Sequence, residues 1–119
     1  VREKITSIGC LGITYKADVD DLRESPSLQI TKELLKRDFA NILVADPLID
    51  QSRITDFKIS SIDKVISECE LLVLLTAHQE FRNLSPQLLT DKKVFDCAGI
   101  WRDCVTEQIE AEWHLPNAA

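Results

Sequence analysis

Apolar and polar positions along this chain alternate between two habits, short unbroken apolar runs and longer stretches with helical spacing. Lys4 to Ile13 carries Ile5, Ile8, Cys10, Leu11 and Ile13, a largely apolar run that does not strictly alternate. Such a run predicts a strand covered on both faces. Tyr15 to Ser25 is polar, crowded with acids and without a period, and reads as a loop. Ser25-Pro26 then has the form of a helix start, with serine capping and proline in the first turn. The helix is expected to reach about Asp38, with Leu28 and Leu35 seven apart and Ile30 and Leu34 four apart. Asn41 to Ala45 predicts a second strand, stopped by Asp46-Pro47, and Phe57 to Ile59 a short third one.

Ser61 is expected to cap a second helix in which Ile62, Val65, Ile66 and Cys69 fall at i, i+3, i+4 and i+7. Glu70 to Thr76 holds five consecutive apolar residues, Leu71 to Leu75, and predicts a buried central strand. A short helical stretch around Gln79 to Leu84 and a helical turn after Ser85-Pro86 lead to a last clear strand, Lys93 to Asp96. The tail from Asp103 is weakly patterned, and its end, residues 116–119, is expected to fray. Strands alternating with helices imply βαβ units. The fold class expected is α/β: a single Rossmann-like, doubly wound domain over residues 1–119, its mostly parallel sheet covered by helices on both faces. Ligands of such sheets bind beyond the carboxyl ends of the strands. Those ends are Thr14-Tyr15-Lys16, Asp46-Pro47, Thr76-Ala77-His78 and Asp96-Cys97-Ala98-Gly99.

Composition narrows the function classes. With 119 residues, 45% of them hydrophobic and 29% charged, the chain suits one globular domain. No apolar run is long enough to cross a bilayer, and no signal peptide is visible at Val1-Arg2-Glu3-Lys4. The lack of any methionine suggests a piece of a longer chain. A net charge of −6 argues against a nucleic-acid partner, which needs a basic face, but leaves room for one small phosphorylated ligand. Cysteines 10, 69, 97 and 104 form no Cys-x-x-Cys pair, so no metal site is expected and a reduced cytoplasmic protein is.

Gly9-Cys10-Leu11-Gly12 lacks the third glycine of a dinucleotide fingerprint, and no helix follows at once. Close strand packing explains both glycines. The loop after it carries more chemistry. Lys16 and Arg23 bracket Asp18, Asp20 and Asp21, with Glu24 following. The loop is long for a βα connection, which usually takes about 2–6 residues, and lies where ligands sit. A lysine there supplies a point charge to a phosphate or oxyanion, and an arginine a planar fork to a phosphate or carboxylate. The aspartates can hold those cations by ion pairing. A solvated loop of mixed charge has the same composition.

The run Leu11-Gly12-Ile13-Thr14-Tyr15-Lys16-Ala17-Asp18-Val19-Asp20-Asp21-Leu22-Arg23-Glu24-Ser25-Pro26 closely resembles the opening of the C-terminal domain of the UDP-glucose/GDP-mannose dehydrogenase family. Asp46-Pro47, the apolar strand ending at Thr76, and Phe95-Asp96 before Gly99-Ile100-Trp101 extend the likeness more loosely. The resemblance implies an enzyme that oxidises the C6 hydroxyl of a nucleotide sugar to a carboxylate in two NAD-dependent steps, for polysaccharide biosynthesis. It implies an N-terminal NAD-binding domain, a central dimerising region and a homo-oligomeric parent, with this chain gripping the UDP-sugar. Tyr15 and Lys16 would contact substrate, and Arg23 would reach the bound NAD. The nucleophilic cysteine of such enzymes lies upstream, so the resemblance gives this domain no catalytic residue and the isolated chain no turnover.

Gly99-Ile100-Trp101 is similar to the ending of the branch acting on UDP-N-acetylhexosamines, notably UDP-N-acetylmannosamine; UDP-glucose and GDP-mannose are the alternatives. The family commonly has a cation before this glycine, where this chain has Ala98; Arg102 is the candidate substitute as a substrate contact. Trp101 is expected in the core, and Trp113 over the sheet edge. His78, with no visible partner, is expected only to start a helix, and His114 has no assigned role. Two other classes stay open. One is a receiver-like signalling domain using Asp20-Asp21, Asp46, Thr76 and Lys93. The other is a free-standing nucleotide-sugar-binding module.

Overall fold

The computed structural model of the chain describes residues 5–37, 40–101 and 107–108. Among them, strands β1 (Ser7–Leu11), β2 (Asn41–Ala45), β3 (Leu71–Leu74), β4 (Lys93–Asp96) and β5 (Glu107–Gln108) form one sheet in the order β2-β1-β3-β4-β5. Every pairing is parallel. Helix α1 (Pro26–Arg37) returns the chain from β1 to β2, and α2 (Ile62–Glu68) crosses from β2 to β3 on the other side of β1. The direction of winding reverses at that point. The carboxyl ends of β1 and β3 therefore flank the switch point of the sheet, where doubly wound folds open a ligand crevice.

The two faces are read off alternate strand residues. Ile8 and Cys10 of β1, with Leu71 and Val73 of β3, join Leu34 of α1 in one core. Leu11, Leu72 and Leu74 join Val65 and Ile66 of α2 in the other. Helix α3 (Gln79–Arg82) and a 3-10 turn (Pro86–Leu89) add Phe81 and Leu89 to that second core. The starts of α1 and α2 follow capping rules. Ser25 Oγ accepts the Leu28 amide at 3.1 Å and Ser61 Oγ the Lys64 amide at 3.1 Å. Ser27 and Thr31 share the buried face of α1 with Leu34, while Leu28, Ile30 and Leu35 are only partly buried beside it.

Three elements differ from expectation. The first strand is shorter than Lys4 to Ile13, because Gly12 turns into the left-handed region (φ 88°) and the Ile13 amide leaves the ladder for the Asp46 carboxylate. Phe57 to Ile59 is not a strand. The Gln51 side-chain amide donates to the Ile54 and Phe57 carbonyls and accepts the Ile59 amide, so one side chain satisfies this loop's backbone. Phe57 and Ile59 are apolar because they pack beside α1's core. The pairing of β5 with β4 was not legible in a two-residue polar segment.

Both glycines of the first turn are there for close packing. A Cβ on Gly9 would meet Val65 Cγ1 at 2.3 Å, so Gly9 lets α2 approach β1. A Cβ on Gly12 would meet the Thr76 carbonyl oxygen at 2.4 Å, at a positive φ besides. Replacement Gly12→Ala is expected to cost about 3 kcal/mol or more, combining left-handed strain with a backbone clash. Urea unfolding checks it: the midpoint should fall with the slope unchanged, and a loss below about 1 kcal/mol contradicts the packing account.

Candidate functional site

The loop of residues 12–25 joins β1 to α1 across the switch point, and buried polar groups pin its two ends. The Ile13 amide donates to Asp46 Oδ2 at 2.7 Å, and Ser25 Oγ donates to the Ile13 carbonyl at 2.8 Å. Thr76, just beyond β3, has its hydroxyl 3.0 Å from the Thr14 carbonyl and 2.7 Å from Ser27 Oγ. The loop then closes on itself through the Tyr15 amide and the Asp21 carbonyl, 2.7 Å apart.

His78 supports the middle of the loop. Its side chain and that of Asp46 are both fully buried, with Nε2 3.0 Å from Asp46 Oδ2. Nδ1 accepts the Asp18 amide at 2.9 Å. A backbone N–H only donates, so Nδ1 carries no proton and the neutral ring bears its proton on Nε2, facing Asp46. Thr14 Oγ1 lies 3.3 Å from Nε2 and donates to the Lys16 carbonyl at 2.9 Å. Asp18 completes a reciprocal tie, its carboxylate accepting the Gln79 amide at 2.7 Å at the start of α3. It does so at φ 63°, a region that aspartate tolerates better than most residues.

The outward side of the loop is charged and aromatic. Tyr15 is 53% exposed and Lys16 is exposed, although both stand on a buried base. Arg23, 88% exposed, donates from Nε and Nη2 to the two Asp21 oxygens at 3.0 and 2.9 Å. This bidentate pair uses one edge of the guanidinium and leaves the Nη1 side turned away from Asp21. Tyr15, Asp21, Arg23 and Glu24 line an open cleft of about 250 Å³. Asp20 lies 3.6 Å from Arg53, so the remaining acid of the loop's pair is also matched to a cation.

The residues singled out from sequence thus fall into three groups. Tyr15 and Arg23 share one cleft, and Lys16 projects from the same turn. Arg102 lies outside the described residues, as do Cys104, Trp113 and His114. Trp101 is buried and donates Nε1–H to the Phe81 carbonyl at 3.0 Å, a core role. At the end of β4, the Asp96 carboxylate accepts the amides of Ala98, Gly99 and Trp101. That loop is therefore well organised, yet exposes only a methyl group at Ala98, with no charge there.

His78 starts α3 as expected, at its N-cap position, but the ring makes no capping bond and has a partner the sequence did not show, Asp46. The signal available was positional: Asp46 directly follows β2 and His78 lies shortly beyond β3, at one edge of the sheet. Asp46 is buried, with Oδ1 accepting the Leu48 amide and Oδ2 the Ile13 amide, so it offers no free oxygen to a phosphodonor. The thiols among the described residues are similarly unsuited to nucleophilic work. Burial pushes Cys10 up to about 12, and burial also raises Cys69 and Cys97, the latter with help from Asp96.

Residues 9–103 match the model of the UDP-glucose/GDP-mannose dehydrogenase family, UDP binding domain. An NDP-N-acetyl-D-galactosaminuronic acid dehydrogenase of Ralstonia nicotianae is 32% identical over 102 residues, covering 84% of this chain and 24% of its own length. A UDP-N-acetyl-D-mannosamine dehydrogenase of Escherichia coli is 30% identical over 104 residues, covering 85% of this chain and 25% of its own. The solved UDP-N-acetyl-mannosamine dehydrogenase of Staphylococcus aureus superposes with a TM-score of 0.71 at 25% identity, over 92% of this chain and 25% of that one. The chain thus spans about a quarter of the length of the curated relatives it matches. The match runs through both the switch-point loop and the β4 end, and removes the receiver-like alternative: the chain belongs to the UDP-glucose/GDP-mannose dehydrogenase family, within its UDP binding domain.

Proposed function

We propose that residues 1–119 form the nucleotide-sugar-binding C-terminal domain of an NAD-dependent UDP-sugar 6-dehydrogenase, with UDP-N-acetylmannosamine as substrate. One observation carries the reading: the switch-point loop is anchored from beneath by buried groups while Tyr15, Lys16 and Arg23 stay exposed above it. A site that only needed a solvated loop would not have to bury a histidine and a carboxylate under it. The two relatives named for N-acetylated sugars, and the Gly99-Ile100-Trp101 ending, favour that substrate branch.

In this reading Lys16 offers its ammonium to the substrate, and Tyr15 packs against it. The cofactor fit is partial. Gly12 is filled from behind by Thr76, and α1 begins only at Pro26, so β1 has no glycine-rich helix start to cradle a pyrophosphate. Arg23, in contrast, suits one anionic group of NAD, held in place by Asp21 with its other edge open. A bound NAD would supply the hydride acceptor, and Arg23 would hold its edge at the domain border. The upstream NAD-binding and dimerising regions, the oligomeric parent, the cytoplasmic setting and Arg102's contact belong to the same proposal.

In the full-length enzyme, Lys16→Ala is expected to lower kcat/KM for the UDP-sugar roughly ten- to a hundredfold, the value of one charge-assisted hydrogen bond. Stability should change by less than about 0.5 kcal/mol, because the side chain is exposed. Steady-state NADH production together with a melting curve checks both; unchanged kinetics removes Lys16 from the site.

Asp21 generates a second test. Its side-chain bond to Arg23, then its bond to the Arg23 amide, lower its pKa from 3.8 to about 2. A folded-state value below the unfolded one means that the pair is intact above the ordinary carboxylate range and is lost as pH falls through about 2. An NMR titration of the Asp21 carboxyl carbon should show that midpoint; a midpoint near 3.8 means that Arg23 is not held.

A further inference from the structure

We infer that His78 is a positioning residue for the ligand loop: it converts the buried Asp46 carboxylate into a fixed height and direction for Lys16. The inference rests on the assignment of Lys16 to the nucleotide-sugar site. Two main-chain supports hold the backbone that leaves Lys16, and both lead to one imidazole. The Lys16 carbonyl accepts from Thr14 Oγ1, which lies against Nε2. Two residues on, the Asp18 amide donates to Nδ1. The ring is fully buried and is further located by Phe81, with ring centroids 5.8 Å apart and planes at 28°. Asp46, in turn, is fixed by the Ile13 and Leu48 amides.

Two features separate this arrangement from ordinary core packing. The Asp18–Gln79 bond reciprocates the His78–Asp18 bond, so the loop and the start of α3 each satisfy the other's backbone amide. The loop also accepts left-handed backbone at Asp18, a local cost that the reciprocal bonds offset. Because the two ring nitrogens have opposite roles, donor at Nε2 and acceptor at Nδ1, they can be removed separately. Asparagine places an acceptor near Nδ1 and loses the donor to Asp46. Glutamine places a donor near Nε2 and loses the acceptor for Asp18.

The test uses the full-length enzyme with NAD and UDP-N-acetylmannosamine, reading KM, kcat and melting temperature. His78→Gln is expected to raise KM roughly tenfold while kcat changes less. His78→Asn should raise KM less than His78→Gln while lowering the melting temperature more, because it keeps the acceptor for Asp18 but leaves a buried carboxylate without a donor. Asp18→Gly, at an exposed position where glycine accepts the backbone angle, removes only the tie to α3 and provides the same reading if the histidine variants do not fold. It should raise KM, and Asp18→Asn should restore it. In a Lys16→Ala background, His78→Gln should add little. If Lys16→Ala raises KM but His78→Gln and Asp18→Gly do not, the positioning role fails and the ligand assignment stands. If those two raise KM while Lys16→Ala does not, the loop is still positioned and it is the choice of Lys16 that fails. Lower melting temperatures with unchanged KM in all variants overturn both.

Discussion

A single buried carboxylate organises the ligand edge of this domain. Asp46 ends β2, yet its oxygens serve the neighbouring elements: the Ile13 amide leaving β1, the Leu48 amide of its own turn, and the imidazole after β3. An acid removed from water is costly unless its oxygens are matched by donors. Here two backbone amides and the Nε2–H supply them. Three of the sheet's strand ends are thereby locked to one point, and the loop of residues 12–25 inherits its geometry from it.

That loop has two sides with different duties. Its lower side is a closed set of hydrogen bonds through Thr14, Asp18, Ser25, Thr76 and His78. Its upper side exposes Tyr15, Lys16 and the far edge of Arg23. Fixing the base reduces the ordering that a ligand would otherwise impose on the loop, which is how preorganisation adds affinity without adding contacts. The β4 end repeats the device in simpler form, with Asp96 gathering three amides. There, however, the exposed residue is Ala98, which carries no charge.

Where periodic signals existed, the fold was legible in the chain. Asn41 to Ala45, the capped α2 pattern and Lys93 to Asp96 appear where spacing and caps put them. Phe57 to Ile59 misled because a short apolar triplet does not say whether a side-chain amide or a ladder satisfies its backbone. The exposed residues of the candidate site were also legible, since Lys16 and Arg23 stand in a distinctive motif. Its buried half was not. Asp46 and His78 are 32 positions apart, and only the parallel pairing of β2, β1 and β3 brings their strand ends together. A histidine read along the chain has no partner; in the folded sheet it has three.

The most direct test of this account is the protonation pattern of His78, read from the nitrogen chemical shifts and long-range couplings of a ring-labelled sample at neutral pH. An unprotonated Nδ1 and a protonated Nε2, unchanged on adding UDP, are the pattern expected of a ring that already holds the loop. A proton on Nδ1 would leave the Asp18 amide without its acceptor, and would contradict the account at its centre.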